Sequence, residues 1–394
     1  MMAWRSFGTW SVVCATLASC LEWNAREANA LSSCPCAHLS LCLPVSRTPA
    51  FEVFAFSPSA NSTNWHYYDF DTLTTIAWNL DKELLCYAHA HDVKIVVQHN
   101  FDDVHMLCDQ AARADWIEAT YNSIVDNYAD GVNIDTEVAM SGATAKCQTL
   151  LVKELRARLV ASKFTRHAQA SISFDVPWAP HGIDQRYYDW VGLATHADLL
   201  FVMSYDMRSQ IYYQCIAGAN SPLALVKQGL EEYIVAYDIA PRKLVLGLPW
   251  YAYKYPCEPH DQPGYKSARP ICHIPPVPFR GAPCSDAAGS QVDYKQVQMY
   301  LSDPDSVHGW DPMSQSPFLM VHTPNATWQI WYDNVTSLGV KYQMARELDL
   351  RGVGMWHVDA LDYSGKDDPV ASTLAMWQAL RKAVPVAPVY KSID

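Results

Sequence analysis

The chain has 394 residues, half of them apolar and only 18% charged, enough to build a large core and to exclude disorder as the main state. Against 29 basic residues stand 41 acidic ones, a formal net charge of −12. That balance excludes a surface built to neutralise phosphates, so nucleic acid is not an expected partner.

In chain order, residues 1–30 read as a signal peptide: Arg5, an uncharged and largely apolar run from Phe7 to Leu21, then Ala28-Asn29-Ala30 as a small-residue cleavage site. A membrane anchor is the competing reading, but the run is shorter than the roughly 20 residues a bilayer requires, and Glu22, Arg26 and Glu27 follow closely. Removing this peptide leaves ten cysteines, an even and irregularly spaced set that fits disulfides better than a zinc site, with the pairing open. Sequons at Asn61, Asn325 and Asn334 agree with export. Residues 31–50, with Cys34-Pro35-Cys36 and Cys42, read as a Cys-rich stapled extension, and residues 51–394 as the main globular unit.

Eight short β-branched or aromatic runs follow: Phe51 to Phe56, Thr74 to Trp78, Val93 to Val97, Gly131 to Asp135, Ala170 to Phe174, Leu199 to Tyr205, Lys243 to Leu248 and Gly352 to Trp356. Helical spacing lies between them, as in Ile117, Tyr121, Ile124 and Tyr128, or Leu151, Leu155 and Leu159. A third helix is expected to start at Ser221-Pro222, with the serine as cap and the proline in the first turn. Continuous apolar strands alternating with helices predict an α/β fold, a closed (β/α)8 TIM barrel. An open doubly wound sheet is the runner-up, and no glycine-rich phosphate loop follows the first strand to support it. About one hundred residues separate the seventh and eighth runs, which predicts an insertion over about 250–333 on the side of the barrel where active sites form.

The stretch Asp130-Gly131-Val132-Asn133-Ile134-Asp135-Thr136-Glu137 carries the chemistry. Strand alternation puts Asn133, Asp135 and Glu137 on one face, with both acids at the carboxyl end where barrel enzymes place catalytic groups. An exposed edge strand would show the same alternation. Two carboxylates so close resist ionising together, so one should hold its proton and serve acid catalysis at a glycosidic bond. His89-Ala90-His91-Asp92 could be read as a zinc site, but it precedes a strand and so falls at the opposite end of the barrel. No metal and no cofactor are therefore expected.

Asp130, Asn133, Asp135 and Glu137 resemble the Asp-x-x-Asp-x-Asp-x-Glu signature of glycoside hydrolase family eighteen. Two further motifs of that family follow in order, Met203-Ser204-Tyr205-Asp206 and Gly352-Val353-Gly354-Met355-Trp356. The Cys34-Pro35-Cys36 start, Asn133 in place of the second aspartate, and the run from Pro278 to Gly289 resemble a lysosomal branch of the family. That branch splits the chitobiose core of asparagine-linked glycans. The resemblance implies a retaining, substrate-assisted glycosidase acting on N-acetylglucosamine oligosaccharides, a monomer with no membrane association after signal cleavage. Glu137 is then the proton donor, Asp135 the partner of the sugar's acetamido N–H, and Tyr205 a donor to its carbonyl. Asn133, Asp206 and Trp356 bind substrate, and Asn133 is expected to orient Asp135 while leaving the cluster one carboxylate short. A secreted endo-chitinase and an inactive chitin-binding lectin are the alternatives, the latter disfavoured by the presence of Glu137.

Overall fold

A computed structural model describes residues 33–59, 63–162, 169–258, 271–365 and 370–385. The expected signal peptide and the sequon Asn61 lie outside the described residues. Eight parallel strands close a barrel: β1 (Glu52–Phe56), β2 (Thr75–Ala77), β3 (Lys94–Gln98), β4 (Gly131–Ile134), β5 (Ser171–Pro177), β6 (Leu199–Met203), β7 (Leu244–Pro249) and, after the insertion, β13 (Gly352–Trp356), which pairs with both β7 and β1. The connecting helices are α1 (Lys82–Ala90), α2 (Gln110–Asp126), α3 (Gly142–Val160), α4 (Trp190–His196), α5 (Leu223–Glu231), α7 (Val335–Glu347) and the closing α8 (Ala371–Ala383). Both faces of the strands are covered, so β1, β4, β6 and β7 are buried at every residue. The open-sheet alternative is thereby excluded.

Inside the barrel Phe54, Phe56 and Phe201 pack ring to ring, with centroids 4.9–5.5 Å apart. Glycine is required opposite them: a Cβ on Gly247 would sit 2.2 Å from the Phe201 ring, and one on Gly354 2.4 Å from it. Two sequence expectations shift slightly. Helix α5 begins at Leu223 with Pro222 itself as the cap, because the Ser221 hydroxyl donates instead to the Ser204 carbonyl at the end of β6. Strand pairing in β4 stops at Ile134, so Asp135 and Glu137 stand just past the ladder.

The insertion between the seventh and eighth barrel strands is a second sheet. Strands β8 (Tyr251–Cys257), β9 (Ser290–Asp293), β10 (Val307–Asp311), β11 (Ser316–Thr323) and β12 (Ala326–Trp331) run antiparallel in the order β10-β11-β12-β8-β9, and α6 (Tyr294–Leu301) packs against it. All ten described cysteines are paired: Cys34–Cys42, Cys36–Cys86, Cys108–Cys147, Cys215–Cys284 and Cys257–Cys272. Five bridges mark maturation in an oxidising compartment, the secretory pathway. Cys34–Cys42 staples the N-terminal extension to itself and Cys36–Cys86 holds it against α1, at the end of the barrel remote from Glu137. There Asp130 accepts from the Val45 and Ile95 amides and pairs with His89 at 3.0 Å, while the other His89 nitrogen meets the Leu41 carbonyl. Both nitrogens of this ring are thus committed to structure. Among the described residues the one geometric cluster of metal-ligating types is Cys34, Cys36 and Cys42, and each is in a disulfide.

Candidate active site

The six side chains singled out from the sequence gather at the carboxyl end of the barrel. Asn133 is buried, Asp135 half-buried and Glu137 exposed, a gradient that follows the chain out of the barrel. The Asp135 backbone amide donates to Asn100 Oδ1 at 2.8 Å, which pins the turn after β4. Burial first, then the Glu137 charge, raise the Asp135 pKa to about 7, whereas the nearby Arg186 acts to lower it. Asp135 Oδ1 is buried and has no hydrogen-bond partner among the described residues.

Glu137 accepts from Arg186 Nη1 at 2.7 Å, and the same guanidinium reaches Asp184 at 3.1 Å. Tyr205, Asp206 and Trp356 come from the ends of β6 and β13. Tyr205 is buried, and burial together with the surrounding carboxylates pushes its phenol well above the usual range, so it is a neutral donor. Asp206 has a left-handed backbone, φ 52°, an uncommon conformation of the kind found at functional sites. Its amide donates to Asn220, and the Tyr251 hydroxyl donates to its carboxyl. Burial raises its pKa to about 7. The Trp356 indole stands edge-on to Trp78, centroids 4.9 Å apart, and lies 5.4 Å from Phe56. Beside these groups is a cavity of about 230 Å3 walled by Glu137, Asp184, Arg186, Tyr205 and Asp206 on the barrel side. Tyr253, Phe279 and Asp286 of the insertion close the other side.

Two expectations need correcting. The Asn133 amide turns toward β5, donating to Asp175 at 2.8 Å and to Ser173 at 3.2 Å, while its carbonyl accepts from Trp78 Nε1 at 2.8 Å. It therefore orients Asp175 rather than Asp135. Nor is the cluster one carboxylate short, because Asp175 is buried beside Asp135, where burial and the Asp135 charge hold its pKa far above the ordinary carboxyl value. The sequence reading missed Asp175 and Arg186, and it placed the insertion at the site without naming Tyr253, Phe279 or Asp286 as site residues. Asp175 did carry a signal: Ser171, Ser173 and Asp175 alternate along β5 as Asn133 and Asp135 do along β4. Arg186 lies in a loop, where no periodicity marks it.

A family model described as glycosyl hydrolases family 18 matches residues 89–360, more than half of the chain. The chain belongs to that family. It is a glycosidase. Among curated proteins, human di-N-acetylchitobiase is 39% identical over 362 residues, covering 89% of each chain. The mouse protein of the same name is 40% identical, covering 88% of this chain and 93% of its own. A probable di-N-acetylchitobiase from Dictyostelium discoideum is 36% identical over 89% of this chain and 91% of its own. Among solved structures, a class V chitinase from Nicotiana tobaccum superposes with a TM-score of 0.65 at 15% identity, covering 84% of this chain and 99% of that one. A family-18 chitinase from Cycas revoluta in complex with (GlcNAc)3 gives 0.66 at 16% identity with the same coverage. At such identities the likeness is one of fold.

Proposed function

We propose that this glycosidase cleaves the β-1,4 bond of the N,N'-diacetylchitobiose core of asparagine-linked oligosaccharides, and of chitin oligomers, by retaining, substrate-assisted catalysis. One observation carries the reading: the buried, unpartnered Oδ1 of Asp135, which lacks a donor until a ligand brings one. A 2-acetamido N–H is such a donor. Glu137, exposed at the cavity mouth, exchanges Arg186 for the glycosidic oxygen and gives it a proton. The acetamido carbonyl attacks the anomeric carbon as the glycosidic bond breaks and the protonated leaving sugar departs; the N–H of the resulting oxazolinium meets the Asp135 carboxylate, and water, giving its proton to Glu137, then opens the ring at the anomeric carbon with retention. Tyr205 donates to the acetamido oxygen, Asp206 bonds the sugar nearby, and Trp356 with Trp78 forms the apolar floor. Asn133 acts one step back from the substrate, through Asp175.

In this reading residues 1–30 are a leader lost on export, the extension of residues 31–50 is stapled to the barrel, and the remainder works as one monomeric unit. The lysosome is the proposed destination, reached through the secretory pathway that the disulfides mark, and the buried Asp206, with its pKa raised to about 7, favours the folded state at acidic pH. The similarity to proteins named as di-N-acetylchitobiases supports the substrate. Glu137→Gln is expected to lower kcat on a chitobiose substrate by about 10³-fold with sugar binding retained. A digest of reduced chitin oligomers should release single N-acetylglucosamine from the reducing end. Release of mid-chain dimers would instead establish an endo-chitinase. A 2-hydroxyl analogue cleaved as fast as the acetamido substrate would refute the mechanism.

A further inference from the structure

We propose that Asp175 is a positioning residue for the reaction, supplying from β5 the protonated carboxyl that lets Asp135 stand ionised beneath the sugar's acetamido group. This rests on the substrate-assisted reading above and names a residue that reading does not require.

The orientation of Asn133 is fixed by chemistry. An indole N–H only donates, so the Asn133 oxygen faces Trp78 Nε1 and its NH2 must face Ser173 and Asp175. Asp175 is therefore held in place by a neutral donor. It is 3% exposed, and no lysine, arginine or histidine among the described residues is bonded to it. The titratable groups that face it are Asp135 and Glu137 from the end of β4 and Tyr205 from β6. Two carboxyls buried side by side do not both ionise. Asp175 is the deeper of the pair and has no access to the sugar's cationic intermediate, whereas Asp135 faces it. The proton therefore rests on Asp175 and the negative charge on Asp135 when the oxazolinium forms. Residues 133 and 175 meet at 2.8 Å across adjacent strands, so the amide and the acid are interchangeable in place.

The test compares pH profiles of kcat on a chitobiose substrate for wild type, Asn133→Asp, Asp175→Asn and the double exchange, with a melting curve for each. Asp175→Asn takes away the protonated carboxyl that supports the Asp135 anion, so the acid limb should rise by about one pH unit; Asn133→Asp adds a carboxyl that competes with Asp135 for ionisation, so the limb should rise by about as much. The third carboxyl should also cut kcat of Asn133→Asp by about tenfold. Adding Asp175→Asn to it should bring both the limb and kcat back toward wild type. An unmoved limb in Asp175→Asn, or a double exchange no better than Asn133→Asp, overturns the proposal. If either single variant loses its fold, the double exchange must still fold with a wild-type limb, and its failure counts equally against the proposal. A wild type that leaves the substrate intact, or splits the hydroxyl analogue equally well, refutes the underlying mechanism, a result separable from any change among the variants.

Discussion

Arg186 shows how a single loop residue sets the electrostatics of the site. Its guanidinium is almost fully buried, bridges Glu137 and Asp184, and acts to lower the pKa of Asp135. Replacing it with glutamine withdraws a cation from an acid that must be ionised to work, so the Asp135 pKa should rise further. The acid limb of the pH–rate profile should move to higher pH, and kcat at pH 5 should fall by about tenfold or more. Arg186→Lys keeps the charge and should hold the limb near its wild-type position. If glutamine and lysine shift it alike, the effect is one of packing and the electrostatic argument fails. The same scale explains what the sequence revealed. Asn133, Asp135 and Glu137 were readable because strand alternation places them on one face, whereas the partner of Asn133 lay forty-odd residues away on β5 and only the closed barrel brings the two together.

At the scale of elements, the barrel and the presence of the insertion were readable, but the insertion's own sheet was not. Eight apolar runs separated by helical spacing leave few arrangements, but β9 and β10 are largely exposed or half-buried and carry no apolar run to mark them as strands. Their sheet matters because it presents Tyr251 to Asp206 and, beyond β8, carries Phe279 and Asp286 to the cavity wall. The Cys215–Cys284 bridge, 69 residues apart in sequence, ties that wall to the loop after β6. Ile211 and Cys284 also pair backbone to backbone beside it. Replacing both cysteines with serine should cost about 2–4 kcal/mol of stability and raise KM more than it lowers kcat. The wall shapes binding, whereas Glu137 and Asp135 belong to the barrel. Equal losses in kcat with KM unchanged would instead place the insertion in the chemistry itself.

For the whole molecule, the buried carboxyls have a consequence that no single one shows. Asp135 and Asp206 have pKa values raised to about 7, Asp286 to about 6, and Asp175 is raised as well, in every case chiefly by burial. The unfolded chain ionises these groups at about 4, so between about pH 4 and pH 7 the folded state holds protons that the unfolded state has released. Stability must then fall as pH rises across that window. His89, whose pKa is raised beside Asp130, adds to the trend because its stabilisation is also lost on deprotonation. His99 and His357, lowered by burial, oppose it. Four acids outweigh two imidazoles, so the melting temperature should be highest near pH 5 and drop steadily to pH 8. Asp206→Asn, which removes one of the titrating acids, should flatten that slope. A melting temperature that climbs toward pH 8 would mean that these carboxyls are ionised in the folded protein. It would also remove the stability argument for an acidic working pH.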